Sequence, residues 1–362
     1  MKTRAYFLLL ILAAACTPRN QYTIDVSVTG GPDSLMVHNN WYTSSDTLKL
    51  VDGACTFTGT IDTFPKLVSV GFALTGQRTA RVILEPGNIT VSFTPEEGFR
   101  VGGTESNIAL QKMLDEQKPY QDEATKIWRE WNQAYNKEPR SKEECEAIWL
   151  RREEINQRSL DKTYELIAAN PNYAGLVMAL PLVRTDPPAK LKEYVELFKA
   201  YADDKRYQDI VKEYEIADRT VNGKPVPGFS FPDTTGKLVS LSDFKGKWVL
   251  LDFWYVDCHW CRKLTPHLIN IYKDWNQTRN FEIISISVDK PKDFIRWKEA
   301  IRHDGAIWTQ VNDSTKTYPD HFGITGYPTM ILVDPNGNGV KKIVGYQEEG
   351  GLRRTIGEVI SE

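Results

Sequence analysis

Past its first fifteen residues the sequence has no apolar run long enough to cross a bilayer, so no later segment is expected to span one. Nor does it carry a basic block. Its 45 Lys and Arg against 48 Asp and Glu give a formal net charge of −3, which argues against nucleic acid or anionic lipid as a partner. Histidine is scarce, at five residues, and there is one CxxC pair with no second CxxC and no HxxxH. A structural zinc site needs four ligands at metal spacing, so that shortage excludes one. Neither a metal nor another cofactor is expected. The five cysteines divide simply: Cys16 follows the leader directly, Cys258 and Cys261 form the pair, and Cys55 and Cys145 read as isolated, partly buried thiols.

In the leader, Lys2 and Arg4 make a positive start and Tyr6 to Leu12 a short apolar core. Ala13-Ala14-Ala15 then leads into Cys16. An apolar run this short reads as a secretory signal. Small residues abutting a cysteine resemble the bacterial lipobox, whose cysteine is lipidated and becomes the mature N-terminus. The resemblance implies a signal peptide at 1–15 and a lipidated linker at 16–21. It also implies a periplasmic protein held to the membrane through its lipid anchor. Loss of Lys2 and Arg4 with the leader moves the net charge to −5. Thr17 to Gln21 has no acidic cluster of the type that directs such proteins to the cell surface.

The remainder changes character twice. Residues 22–106 are strand-like and punctuated by Gly, Asn and Asp. Tyr22 to Val28 alternates, and Thr47 to Val51, Cys55 to Gly59, Leu67 to Val70, Ala80 to Leu84 and Ile89 to Phe93 follow at short intervals. That pattern predicts a β-sandwich. Residues 107–220 take a helical period, with Ile127, Trp128, Trp131 and Tyr135 along one face and breaks at Asn170-Pro171 and Pro187-Pro188. The tryptophan stripe reads as helix packing. From 225 onward, apolar strands alternate with helical stretches. These are Trp248 to Trp254, a helix over Arg262 to Trp275, Phe281 to Val288, Pro291 to Arg302, Thr329 to Val333, Val340 to Tyr346 and Gly351 to Ile360.

Cys258-His259-Trp260-Cys261 stands where the first of these strands meets the first helix. Unpaired N–H groups and the positive dipole end at a helix N-terminus favour a thiolate. Cysteines three apart share a helical face and can close a disulfide with little backbone movement. Cys258 is therefore the expected exposed nucleophile and Cys261 the shielded partner that resolves the mixed disulfide. Asp252 is a carboxylate in an otherwise apolar strand. Desolvation there raises its pKa and suits it to shuttling the Cys261 proton.

The strings "WVLLDFWYVDCHWC" and "GITGYPTMILVDPNG" resemble the active-site passage and the cis-proline loop of thioredoxin. With the leading "GFSFPDTTGKLVSLSDFKGKWVLLDFW", the likeness narrows to the TlpA/ResA-like thiol-disulfide oxidoreductases. "LEPGNITVSF" and "VGGTESN" resemble the β-rich domain that precedes thioredoxin-like domains in Bacteroidetes lipoproteins. The resemblance implies a multidomain chain: a β-sandwich at 22–106, a helical middle at 107–220 and an α/β thioredoxin-like domain at 225–362. It implies disulfide exchange with protein thiols and disulfides, served by a membrane or periplasmic electron donor or acceptor. Pro328 is then the cis-proline, holding the Tyr327 backbone as a short edge for a substrate strand, and Asp252 matches the buried acid of thioredoxin. Leu264 stands where ResA-type relatives carry a glutamate, which leaves Asp252 to serve alone. His259 and Trp260 are expected to tune the redox poise, Trp260 also offering an apolar contact to partners. Two other readings stand beside this one. A peroxiredoxin-like peroxidase needs a threonine three before its cysteine, where this chain has Tyr255, and an earlier proline, where it has Leu251. The other is a catalytically weak binding or scaffold lipoprotein, which the intact dithiol, Asp252 and Pro328 speak against.

Overall fold

The computed structural model describes residues 20–39, 45–61, 65–72, 79–183 and 186–360. The expected leader and Cys16 lie outside the described residues. The chain forms two compact units, Met1–Glu116 with Asn172–Val177, and Gln117–Pro171 with Met178–Glu362.

Among the described residues of the first unit, eight strands form two four-stranded sheets. They are β1 (Gln21–Val28), β2 (Ser34–Asn39), β3 (Ser45–Lys49), β4 (Ala54–Thr60), β5 (Lys66–Gly71), β6 (Thr79–Leu84), β7 (Gly87–Thr94) and β8 (Gly98–Gly102). One sheet has the order β4-β1-β7-β8 and the other β3-β2-β5-β6. Period-two alternation turns Ile24 and Val26 of β1 and Ile89, Val91 and Phe93 of β7 inward. There they share one core with Leu35, Val70 and Val82 of the other sheet, which is the β-sandwich the sequence predicts.

The "VGGTESN" string has a local physical reason. A Cβ on Gly103, at φ +86°, would meet the Asn88 carbonyl oxygen at 2.1 Å. Three residues past Thr104, the fully buried Asn107 carries strand chemistry into a helix. Its Oδ1 accepts from the Ile83 N–H at 2.9 Å and its Nδ2 donates to the Ile83 carbonyl at 2.7 Å, closing the edge of β6.

The helices that follow are α1 (Glu105–Tyr135), α2 (Lys142–Ala169), α3 (Tyr173–Ala179), α4 (Pro188–Leu197) and α5 (Lys205–Thr220). Ser141 caps α2, its side chain accepting from Glu144 N–H, and Asp204 caps α5 in the same way through Arg206 N–H. Residues 117–171 and 178–220 belong to the same compact unit as the C-terminal α/β residues.

That α/β part runs β9 (Lys224–Pro225), β10 (Ser230–Pro232), β11 (Leu238–Ser240), β12 (Trp248–Trp254), α6 (His259–Thr278), β13 (Phe281–Ser287), α7 (Phe294–Asp304), β14 (Thr309–Asn312), α8 (Thr317–His321), β15 (Thr329–Val333), β16 (Asn338–Val344) and α9 (Glu349–Ile360). The mixed six-stranded sheet has the order β14-β13-β12-β15-β16-β9. β12 lies parallel to β13 and antiparallel to β15. Being covered on both faces, β12 reads as a continuous apolar run. Val249, Leu251 and Phe253 enter one core with Phe322 and Ile331. Leu250 enters the other with Leu264, Leu268 and Ile271 of α6. Alternation therefore assigns Asp252 and Trp254 to the α6 face.

Replacing Asn107 by Ala leaves the Ile83 N–H and C=O without their partner. A cost on the order of 2 kcal/mol is expected, checked by a urea melt and by faster hydrogen exchange at the Ile83 amide.

Candidate active site

The dithiol is built by the end of β12 and the start of α6. Cys258 is the N-cap of α6 and its Sγ accepts from the Cys261 N–H at 3.1 Å. The sulfur thus takes the place of the usual Ser or Asp oxygen, with the positive end of the helix behind it. Cys258 and Cys261 are joined in a disulfide with Cα atoms 5.3 Å apart. The expected contrast in exposure does not hold: Cys258 is 4% exposed and Cys261 5%. Both pack with Trp254, Val256, Trp297 and Ala300, and this apolar collar shields the first sulfur as much as the second.

The loop entering the helix is pinned from below. Buried Asp289, just past β13, accepts from Val256 N–H at 3.0 Å and from the Ser287 hydroxyl at 2.7 Å. Asn312 donates to the Ser287 carbonyl and hydroxyl and to the Asp289 carbonyl. Arg262 on α6 donates to Asp304 on α7 through Nη2 at 2.6 Å. Sequence reasoning missed Asp289, Ser287 and Asn312. Their only signal is polar residues at the ends of buried strands.

Asp252 is 6% exposed. The Ser285 hydroxyl donates to its Oδ2 at 2.7 Å and itself accepts from Trp308 Nε1 at 2.8 Å. Burial pushes the Asp252 carboxyl up to about 6, against the pull of the Ser285 bond. Asp252 and Cys261 line one small cavity of about 10 Å³, with Thr265, Ser285 and Gln310 among its walls. That is close to the room one water needs. Leu264 is fully buried in the α6 core.

The Tyr327–Pro328 peptide bond is cis, as the resemblance implies. Tyr327 packs against the cluster containing both cysteines and meets Tyr255 edge-on at 5.5 Å between centroids. His259 is exposed and stacks edge-on to Trp260. Trp260 is half-buried against Trp131 and Trp149 of the helical segment. Its ring thus has neighbours within the chain where an open contact for partners was expected. Cys55 and Cys145 are free thiols, the first half-buried and the second buried.

Residues 222–341 match the AhpC/TSA family, and residues 22–110 match a domain of unknown function, DUF4369. The chain is 33% identical over 127 residues to the thiol-disulfide oxidoreductase ResA of Bacillus subtilis, covering 35% of this chain and 69% of the relative. It is 31% identical over 125 residues to ResA of Bacillus thuringiensis, covering 34% and 70%. Among solved structures it is similar to the thioredoxin domain of a thiol-disulfide oxidoreductase from Bacteroides vulgatus, at 37% identity and a TM-score of 0.34, covering 38% of this chain and 96% of that one.

The Asp252 carboxyl is protonated at about 6 in the fold against 3.8 when unfolded. The fold therefore binds the extra proton between these values, and stability falls as pH rises through that window. Asp252→Asn removes the penalty. At pH 8 the variant is expected to be more stable than wild type by about 3 kcal/mol, at roughly 1.4 kcal/mol per pKa unit. By pH 4 the gain should have nearly vanished. Urea melts of the oxidised proteins at the two pH values measure this, and a variant that melts earlier at pH 8 would contradict it.

Proposed function

As this chain belongs to the ResA-like thiol-disulfide oxidoreductases of the thioredoxin superfamily, we propose that it exchanges disulfides with protein substrates in the periplasm, tethered to the membrane through a lipidated Cys16. The observation that carries the exchange chemistry is the Cys258–Cys261 disulfide at the N-terminus of α6, with Asp252 on the wall of the cavity that holds Cys261.

In the reduced protein the N-cap position stabilises a Cys258 thiolate, which makes this sulfur the nucleophile although it is not the more exposed one. Attack on a substrate disulfide forms a Cys258 mixed disulfide and releases one substrate thiolate. Cys261 then gives its proton towards the Asp252 carboxylate, directly or through one water in the shared cavity. The Cys261 thiolate attacks Cys258 Sγ, releases the second substrate thiol and leaves the disulfide seen here. Two electrons and two protons have passed to the substrate. The same steps reversed oxidise a dithiol.

Tyr327 and cis-Pro328 supply the backbone edge beside the sulfurs for an extended substrate segment. Trp260 and His259, between the two cysteines, set the redox poise. The electron donor or acceptor is a membrane or periplasmic component. The domains follow the same reading: a β-sandwich at 22–106, a helical segment at 107–220 and a catalytic domain at 225–362, behind the signal peptide and lipidated linker. The AhpC/TSA match is compatible with this chemistry, since Tyr255 and Leu251 occupy the positions where a peroxidase would need its threonine and proline.

Cys258→Ser is expected to abolish reduction of insulin, whereas Cys261→Ser accumulates mixed disulfides visible on non-reducing gels. Turnover retained in Cys258→Ser would overturn the assignment. In cells, Cys16→Ala is expected to move the protein from the membrane to the soluble fraction. Retention of that variant after a high-salt wash would refute the lipid anchor.

A further inference from the structure

Trp260 sits on the first turn of α6 between the two cysteines, yet its ring belongs to a cluster built mostly by the helical segment. Its centroid lies 5.9 Å from Trp128, 6.4 Å from Trp131 and 5.4 Å from Tyr346. Trp131 is the fixed point of this cluster. It is fully buried, stacks on Trp128 at 5.0 Å, and donates its Nε1–H to Glu348 Oε1 at 2.9 Å. Glu348 is itself buried, accepts from the Tyr346 hydroxyl at 3.0 Å and pairs with His267 Nε2 on α6 at 3.3 Å. From α6 as well, the Lys263 ammonium lies 4.0 Å over the Tyr135 ring and 4.7 Å over Trp260. Aromatic pairs of this kind stabilise beyond their buried area, and cation–π contacts add to that.

We infer that the helical segment is a positioning element for the dithiol: through Trp131 it holds Trp260, and with it the first turn of α6, in the geometry the reduced cysteines need. The inference rests on the exchange chemistry proposed above. Its direction follows from what holds that turn in each redox state. In the oxidised protein the S–S bond ties Cys258 to Cys261 covalently. In the reduced protein the turn depends on the N-cap bond to Cys258 and on side-chain packing, and terminal turns fray when packing is lost. The cluster therefore stabilises the reduced state more than the oxidised one, and weakening it favours the disulfide.

The test is equilibration of the whole chain with glutathione buffers, where two glutathione thiols give two electrons and two protons to the Cys258–Cys261 disulfide and become glutathione disulfide. The oxidised and reduced forms of the Cys258–Cys261 peptide are quantified by mass spectrometry after alkylation, so the other thiols do not contribute. Trp131→Ala is expected to move the equilibrium at least threefold towards the disulfide, about 14 mV at 29.6 mV per decade. Trp131→Phe, which keeps an aromatic ring in place, shifts it less. Trp260→Ala shifts it the same way, and the double variant Trp131→Ala/Trp260→Ala goes little beyond the larger single change. Lys263→Met, which keeps the stem and removes the charge, decides the matter if Trp131→Ala does not fold, and a shift towards the disulfide is again expected. Folded variants with the wild-type equilibrium constant, a shift towards the dithiol, or additive effects of Trp131→Ala and Trp260→Ala would overturn the inference. A wild-type protein whose disulfide does not exchange with glutathione would instead overturn the proposed function.

Discussion

The Cys261 N–H donates to Cys258 Sγ at 3.1 Å, and this first bond of α6 makes one of the two sulfurs a helix cap. A cap accepts hydrogen bonds best when it carries charge, so the geometry that starts the helix also favours the thiolate. Everything around it keeps that end of the helix in place. Asp289 holds the incoming backbone at Val256, Arg262 ties α6 to Asp304, and Leu264 and Leu268 bury the next two turns in the sheet. A cap free to move would give up both the bond and the dipole. The rigidity of the surrounding core is thus part of the chemistry.

The alternation of β12 explains why an acid and a cysteine of different elements meet. A strand covered on both faces has side chains pointing alternately to two cores, and Asp252 occurs in the register of Leu250 and Trp254, on the α6 side. A shift of one residue would place it among Phe253 and Phe322, far from the sulfurs in chemical terms. Burial there has two effects. It raises the energy of the ionised carboxylate, and it places a carboxyl group with a pKa raised to about 6 on the wall of the Cys261 cavity. The strand gives up stability to keep the acid, a cost that the proton transfer proposed above would explain.

Much of this was legible in the sequence because it is local. The strand preceding CxxC, the helix after it, the alternation that aims Asp252 and the proline loop each occupy a short string. The first strand comes out as Trp248–Trp254, as its apolar run predicts. Elements formed by tertiary pairing were not legible. β14 is only Thr-Gln-Val-Asn, too short and polar to show a period, and exists because it pairs parallel to β13. β8 is likewise made by its pairing with β7. At the site, Asp289 holds a loop 33 residues away in sequence and is itself held by Asn312 across 23 residues, relations that spacing cannot encode. The burial of Cys258 depends on Trp297 of α7, so a helix N-terminus alone gave the wrong exposure.

The tryptophans of the helical segment show where a correct local reading stops short. Their spacing predicts an apolar helix face, and that face is apolar and packed. What period cannot say is which surface it packs against, because a helix face carries no address. Here the partner includes Trp260, one of the two residues between the cysteines. The aromatic surface beside the dithiol that stays open is the Tyr255–Tyr327 pair, with Tyr255 37% exposed. On the reading proposed above, an extended substrate that pairs with the cis-proline loop would lie along that side, since the Trp260 ring is packed in part against the chain itself. If Trp260 positions the dithiol as inferred above, access and redox poise are linked through one residue, because a change that freed its ring to meet a partner would also loosen the first turn of α6.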